Sequence, residues 1–259
     1  MFNFITKYLA VKKGKKEYEA KLTQALRDGK LTADEQQELK DALDHYGLEK
    51  KDLIAIQQKA FAMTFQQSIS DKKITDDEKI ALEALINFFG LSLEEIRFDQ
   101  RSFNKFYTLG LLEKGIFPQM NNADTGLILK KDETMYWLCA AQAKKHKSVT
   151  QRVNYGGLTG SVRIAKGLRY RVGSLNVSRV TSDVVAVEDI GLFWITNKRI
   201  GFKGAKKDFA VPYEKILSFD VTPAGMIIAK DGRETPYIIA PDDFDVPCAI
   251  ISKVMNPGE

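Results

Sequence analysis

The sequence contains little of what metal centres and disulfide frameworks need, because it has only two cysteines and two histidines. Cys139 and Cys248 each lack a nearby partner in the sequence, which predicts buried, reduced thiols. This cysteine usage suits the cytosol, so we expect a cytoplasmic protein. A phosphate-binding loop, a nucleophile elbow and a His-Glu-x-x-His motif are all missing. The sequence therefore names no catalytic residue and no cofactor, and it predicts a protein that is not an enzyme.

Long apolar runs are also missing, since no segment approaches the roughly 18 apolar residues of a membrane span. Residues 1–11 are mostly apolar with Lys7 as their one charged side chain, and the further lysines follow rather than precede them, which argues against a secretory signal. We interpret residues 1–16 as a basic amphipathic segment, because a helix would place Phe2, Ile5 and Leu9 on one face. Two alternatives are open for this face: it lies in an anionic membrane interface, or it docks on the helices that follow.

The charge is unevenly distributed along the chain, whose net charge is +5. Residues 1–120 hold 19 Lys and Arg against 19 Asp and Glu, whereas residues 121–259 hold 20 against 15. The positive excess therefore belongs to the second half. A basic bias of this size permits an anionic partner without requiring one.

The first half contains an internal repeat. Residues 28–35 (DGKLTADE) match residues 71–78 (DKKITDDE) at an offset of 43 residues. Each copy has a threonine followed three residues later by glutamate, which predicts a capping box at a helix start. Each copy then has an apolar stripe at helical spacing and ends in a glycine, at Gly47 or Gly90, which predicts a left-handed helix end. We expect the two apolar faces to pack against each other.

Two further helices are predicted, over about residues 50–67 and 93–112, which makes the first half an all-α bundle with a two-fold repeat. The pattern Asp-Gly-Lys-Leu-Thr-x-x-Glu, followed by an apolar helix and Tyr-Gly-Leu, resembles the TerB-like helical family named for tellurite resistance. The resemblance covers about residues 17–112.

The acidic helix starts raise the question of a metal site. Residues 24–35 resemble a calcium loop only superficially, because Gln24 and Leu26 stand at the first and third ligand positions. Helix capping and the helix dipole already explain acidic residues at these places. Similar positions have been suspected of binding metal in TerB-like proteins, so a metal site is kept as the alternative, with these candidate ligands: Asp28, Glu35, Asp71 and Glu78.

The second half changes to short β-branched and aromatic runs separated by turn residues. The runs predict antiparallel strands over residues 134–140, 160–165, 168–172, 184–187, 192–196, 200–203, 216–221, 226–229 and 235–239. Hairpin turns are predicted at Lys166-Gly167, Asn197-Lys198, Pro223-Ala224-Gly225 and Asp231-Gly232. A last helix is predicted from Asp245, with proline in its first turn. The whole chain is therefore expected to be α+β, in two domains.

Residues 191–202 (GLFWITNKRIGF) resemble the strand-turn-strand signature of bacterial pleckstrin-homology-like and GRAM-like domains. Residues 131–133 and 166–173 are similar to other parts of that pattern, and the resemblance covers about residues 125–256. It implies an antiparallel β-barrel of pleckstrin-homology type capped by a C-terminal helix. Such barrels bind lipids, peptides or no known ligand, so the resemblance does not identify one.

Basic residues follow the first predicted strand, lie on the next hairpin and surround the Asn197 turn, and hairpin tips at one end of a barrel would gather them into one patch. The candidates for an anionic ligand or partner are Lys144, Lys145, Arg163, Lys166, Arg169, Arg171, Lys198, Arg199 and Lys203. The alternative is that these cations serve solubility and protect strand edges. Nucleic acid is a less favoured partner, because aromatic residues are not clearly interleaved with the cations.

The sequence thus predicts residues 1–16 as the basic segment, 17–118 as a TerB-like domain, 119–124 as a linker and 125–259 as a pleckstrin-homology-like domain. We expect a non-catalytic interaction protein that binds a protein or an anionic lipid surface, with peripheral membrane attachment as one option. The alternative is a metal-dependent stress-response regulator or enzyme built on the helical half.

Overall fold

A computed structural model describes residues 2–121, 125–149, 161–165, 168–171 and 182–256. The chain divides into two compact units, Met1–Gly110 and Leu111–Glu259. The first is helical, and the second is a curled, seven-stranded antiparallel half-barrel with a C-terminal helix, so the predicted α+β class is confirmed. The finer domain boundaries stay predictions, and residues 122–124 of the predicted linker lie outside the described residues.

The helices of the first half are α1 (Phe2–Ala25), α2 (Ala33–Tyr46), α3 (Lys50–Ser68), α4 (Asp76–Phe89) and α5 (Gln100–Glu113). A short 3-10 turn, Leu26–Asp28, follows α1. The predicted basic segment, residues 1–16, is the first part of α1 and continues into the bundle without a break.

The predicted helix starts and ends of the two sequence copies are confirmed in α2 and α4. The Thr32 amide donates to Glu35 Oε2 at 2.9 Å, and the Thr75 amide donates to Glu78 Oε2 at 2.8 Å. Each glutamate amide donates in return to the threonine hydroxyl. Both helices end at a glycine with positive φ, as predicted. The two copies therefore start and stop by the same local chemistry.

The helical core is assembled around α1 and α3. Tyr18 and Leu22 of α1 are fully buried with Leu39 of α2 and Leu82 of α4. The repeated helices were expected to pack face to face, but α2 packs mainly against α1, and α4 packs mainly against α3. The longer helices therefore separate the two copies.

The helix predicted from residue 93 begins at Gln100 instead. Ser92 and Glu95 form a capping pair, with the Ser92 amide donating to Glu95 Oε2 at 2.8 Å, but only a turn follows. Arg97 has a φ of 56°, a left-handed conformation that ends this turn. Asp99 then accepts from the Ser102 amide at 3.0 Å and caps α5.

The second half contains the strands β1 (Met135–Val149), β2 (Ser161–Ala165), β3 (Leu168–Arg171), β4 (Ser182–Thr196), β5 (Arg199–Gly204), β6 (Asp208–Pro212), β7 (Ile216–Thr222), β8 (Gly225–Lys230) and β9 (Tyr237–Pro241), followed by α6 (Asp245–Met255). Seven of them form one sheet in the order β6-β5-β4-β1-β9-β8-β7, and β2 pairs with β3 separately. Two predicted strands are merged in β4, and β6 was not predicted.

Alternation along the strands places one face of this sheet in the core. Phe193 lies opposite Phe202 and Ile195 opposite Ile200, and all four side chains are fully buried. Helix α6 packs against β4 and buries its own apolar face. Its Cys248 is a free, buried thiol as predicted, whereas the free thiol of Cys139 is only half-buried.

Candidate anion-binding site

The structure does not bring the predicted cations into one patch. Lys198 lies in the tight turn between β4 and β5, at one end of β4. Lys144 pairs with Val187, nine residues before β4 ends at Thr196, so it lies roughly 30 Å from the turn at the usual rise of a strand. The candidates therefore form two groups, one near the β4–β5 turn and one in the stretch of chain that runs from the far end of β1 through β2 and β3.

The second group lies on a two-stranded ribbon. Residues 145–149 of β1 pair with residues 182–186 of β4, and within the described residues no third strand pairs with this part. We call these paired segments, with β2 and β3, the ribbon. Lys145 is exposed and lies 3.1 Å from Glu188 Oε1, which Lys207 Nζ also approaches at 3.2 Å. Lys144 is half-buried where the ribbon begins, and it donates to the Ala224 carbonyl at 3.0 Å.

The β2–β3 ladder places three arginine positions together. Arg163 lies directly opposite Arg169, and Arg171 follows two residues along β3, so all three positions are on the same face of the ladder. Like charges directly opposite each other destabilise a strand pair unless something neutralises them. Lys166 and the turn predicted at residues 166–167 lie outside the described residues.

The charge pattern of the sequence, which turn prediction does not use, also sets the ribbon apart. Residues 134–182 contain nine Lys and Arg and not one Asp or Glu. The whole chain has a net charge of only +5, so the rest of the chain is net negative. The ribbon is built mostly from this segment, and residues 183–186 of β4 add one acid, Asp183, opposite Ser148.

The other group of cations binds the chain itself. We call residues 126–133 the strap, because four side chains of the β4–β5 turn region hold its carbonyl groups. Lys203 Nζ donates to Gly126 O at 2.7 Å, Arg199 Nη2 to Ile128 O at 2.9 Å, Lys198 Nζ to Lys131 O at 2.6 Å and Asn197 Nδ2 to Asp132 O at 3.1 Å. Each predicted cation of this group thus has a structural role.

A buried ion pair fixes the end of the strap. Arg199 meets both oxygens of Glu133, with Nε at 2.7 Å and Nη2 at 3.0 Å, and Thr196 Oγ1 donates to the same carboxylate at 2.8 Å. The side chain of Glu133 is 0% exposed, and that of Arg199 is 17% exposed. Burial alone would raise the pKa of Glu133, but the bonds from Arg199, the Lys130 amide and Thr196 hold it below its ordinary value.

Residues 126–129 of the strap and Trp194, which is only 4% exposed, line a common cavity of about 220 Å³. The indole of Trp194 packs on Gly201, where a Cβ atom would come within 2.2 Å of Trp194 Cζ2. The Arg199 guanidinium lies 5.1 Å from the centre of the Trp194 ring, close enough for a cation–π interaction. Glycine at position 201 is therefore required for this stack.

The acidic candidates for a metal site have other partners. Asp28 Oδ1 accepts from the Lys30 amide at 3.1 Å and Asp71 Oδ1 from the Lys73 amide at 3.3 Å, while Glu35 and Glu78 close the capping boxes. Across the described parts of the chain, no three His, Cys, Asp or Glu side chains come together as metal ligands. The acidic helix starts thus have a structural explanation in capping, and the metal hypothesis gains no geometric support.

The thiols do not favour nucleophilic chemistry. Burial raises the pKa of Cys139 to about 11 and that of Cys248 to about 12, so both are protonated at neutral pH. The basic residues of the ribbon and of the β4–β5 turn are therefore the features from which a function can be proposed.

No protein-family model matches the sequence, and no curated protein matches it either. Among the described residues, no helix is both long and apolar enough to cross a membrane.

Proposed function

We propose that this chain is a non-catalytic interaction protein that attaches peripherally to an anionic membrane through the ribbon. The observation that carries the proposal is the acid-free segment of residues 134–182, whose described strands form a ribbon beyond the main sheet. Each Lys or Arg close to an anionic membrane contributes on the order of 1 kcal/mol. Several such cations, with Asp183 and Glu188 as nearby acids, would give reversible, salt-sensitive binding.

The arrangement of the sheet supports a pleckstrin-homology-like barrel as the scaffold. Strands β4-β5-β6 and β7-β8-β9 are two meanders joined through β1, and a single helix follows the last strand. In this interpretation β2 and β3 form an insertion between the first two barrel strands. The insertion carries the three arginines of the ladder, so the scaffold would present its charge on a projecting element.

The helical half is the second part of the proposal. Its repeated, capped helices support a TerB-like bundle. Leu9 of α1 is 57% exposed, and Lys12, Lys13 and Lys16 beside it are exposed as well. These residues fit the predicted membrane-interface role of the basic segment and would add a second weak contact, which raises overall avidity.

The test is flotation of the full chain with vesicles of phosphatidylcholine alone or mixed with phosphatidylserine. Replacing Arg163, Arg169 and Arg171 by Gln removes about 3 kcal/mol by the membrane rule, so binding to the mixed vesicles should fall roughly a hundredfold. A matched variant with Lys30, Lys40 and Lys72 changed to Gln removes the same charge from the helical half and should bind nearly normally. Equal losses in the two variants would leave only a net-charge effect and contradict the proposal.

The two alternative functions, protein binding and metal-dependent regulation, predict different results with the same purified full chain. If the chain binds another protein and not a membrane, the full chain should retain that protein and should bind neither kind of vesicle. The metal-dependent alternative predicts a large rise in melting temperature with calcium, zinc or magnesium, because a ligand at 100 times its Kd adds about 2.7 kcal/mol. That rise should disappear when Asp28 and Asp71 are changed to Asn.

A further inference from the structure

A cavity of about 400 Å³ opens beside the β4–β5 turn, next to α6. We call it the turn pocket, and its walls include Lys130, Lys198, Arg199, Tyr213, Glu214 and Val254. It lies at the opposite end of β4 from the ribbon. Three of the wall residues are cationic and one is acidic, so its lining is net positive.

The cations of the turn pocket keep free hydrogen-bond donors. Arg199 uses Nε and Nη2 on Glu133 and Ile128, and within the described residues Nη1 has no acceptor. Lys198 uses one of its three ammonium donors on the Lys131 carbonyl. The Lys130 ammonium is exposed and has no acceptor within the same residues. Donors from three side chains therefore remain available around one cavity.

Two of these three side chains, Arg199 and Lys198, are held in place before any ligand arrives. Glu133 fixes the guanidinium plane of Arg199 by a two-point bond, and the Lys131 carbonyl holds the Lys198 ammonium. The Tyr213 hydroxyl donates to the Thr196 carbonyl at 2.9 Å, which joins the pocket wall to the end of β4. A rigid set of donors loses little conformational entropy on binding.

We propose that the turn pocket binds the phosphate group of a phosphate monoester. Guanidinium and ammonium donors around one cavity match the several acceptor oxygens of a phosphate dianion. The half-buried Tyr213 and Val254 would contact the organic part of the ester. Glu214 repels an anion in the turn pocket, so it limits the affinity for phosphate. This site is separate from the ribbon and does not depend on membrane attachment.

Intrinsic fluorescence of the full chain provides the readout. The chain has only two tryptophans, and Trp194 lies beside Arg199. Titration with inorganic phosphate and with glycerol phosphate, against sodium chloride of equal ionic strength, should give a saturable change that chloride does not reproduce. Lys130→Gln with Lys198→Gln should weaken phosphate binding at least tenfold, by analogy with the loss of charge-assisted bonds.

Glu214→Gln should strengthen phosphate binding roughly threefold to tenfold, because it removes a nearby negative charge. A gain in affinity of this kind cannot result from misfolding of the variant. Lys145→Gln should leave the titration unchanged, which separates this site from the ribbon. Vesicles containing phosphatidic acid, a lipid phosphate monoester, test whether the ligand is a lipid. Binding to these vesicles as well as to soluble phosphate indicates a lipid ligand, and binding to soluble phosphate alone indicates a soluble ester. A change that chloride reproduces, binding to the vesicles alone, or no gain in Glu214→Gln would overturn the proposal.

Discussion

The two groups of basic residues in the β half differ in what surrounds them. Lys198, Arg199 and Lys203 bind carbonyl groups of the strap, and Arg199 also binds a buried carboxylate. The ribbon cations come from a segment of 49 residues, 134–182, that has no acidic residue. Similar side chains therefore stabilise the fold in one place, where some of their donors stay free for the proposed phosphate, and in the other place, by our proposal, contact an anionic membrane.

The largest expected effect breaks the strap from the sheet. Glu133→Gln removes the buried carboxylate and leaves the Arg199 guanidinium without its charge partner, which should cost about 3 kcal/mol in free energy of unfolding. Urea denaturation followed by Trp194 fluorescence measures the change. Glu214→Gln is the matched control, since Glu214 is exposed, and its cost should stay within about 0.5 kcal/mol. Equal stability of both variants would show that the ion pair does not hold the strap.

A smaller effect separates charge from geometry at the same pair. Arg199→Lys keeps the positive charge but loses the two-point bond to Glu133 and the bond to the Ile128 carbonyl. We expect a loss of about 1 to 2 kcal/mol in the same denaturation experiment, by the usual worth of hydrogen bonds to charged groups. Lys198→Arg, the opposite substitution in the same turn, is the control for exchanging one cation for another. If Arg199→Lys were as stable as the original chain, charge alone would be sufficient.

The sequence predicted the local parts of this comparison and missed the distant ones. The tight turn at Asn197 and the capped helices around Thr32 and Thr75 follow from residues within a few positions of each other. The bond from Arg199 to Glu133 spans 66 residues, and the bond from Lys203 to Gly126 spans 77. No periodicity or turn rule reports such contacts, so the cations of the turn were predicted as part of a binding patch.

Two errors in secondary structure have similar causes. The apolar residues from Leu93 onward suggested one helix, but the left-handed Arg97 interrupts it, and arginine gives no sign of that conformation. Strand β6, Asp208–Pro212, was not predicted; it is short and ends in proline, a residue that is uncommon inside strands. It lies at the edge of the sheet, where a proline costs no internal hydrogen bond. Tertiary position decided both cases.

Acid should weaken the strap by less than the substitutions do, because a protonated Glu133 keeps part of its hydrogen bonding. The pKa of Glu133 is lower in the fold than its ordinary value of 4.5. Its contribution to stability is therefore complete above that value and is lost as the pH falls through the lower, folded pKa. Denaturation between pH 6 and roughly pH 3 should show a steeper loss of stability in the original chain than in Glu133→Gln. Parallel curves would assign the acid sensitivity to other carboxylates.

The smallest expected effect concerns Glu188, the carboxylate that lies between Lys145 and Lys207 where the ribbon begins. Both lysines are well exposed, so Glu188→Gln should change the free energy of unfolding by less than about 1 kcal/mol. Membrane binding should become stronger, although the substitution removes two ion pairs. With its neighbouring acid removed, Lys145 and Lys207 attract anionic lipid more strongly, and affinity for phosphatidylserine vesicles should rise up to about fivefold. Glu214→Gln adds the same charge at the other end of β4, farther away than the roughly 8 Å over which salt screens charge, and should raise this affinity much less. Equal gains in flotation for the two variants would mean that overall charge, and not the ribbon, meets the membrane.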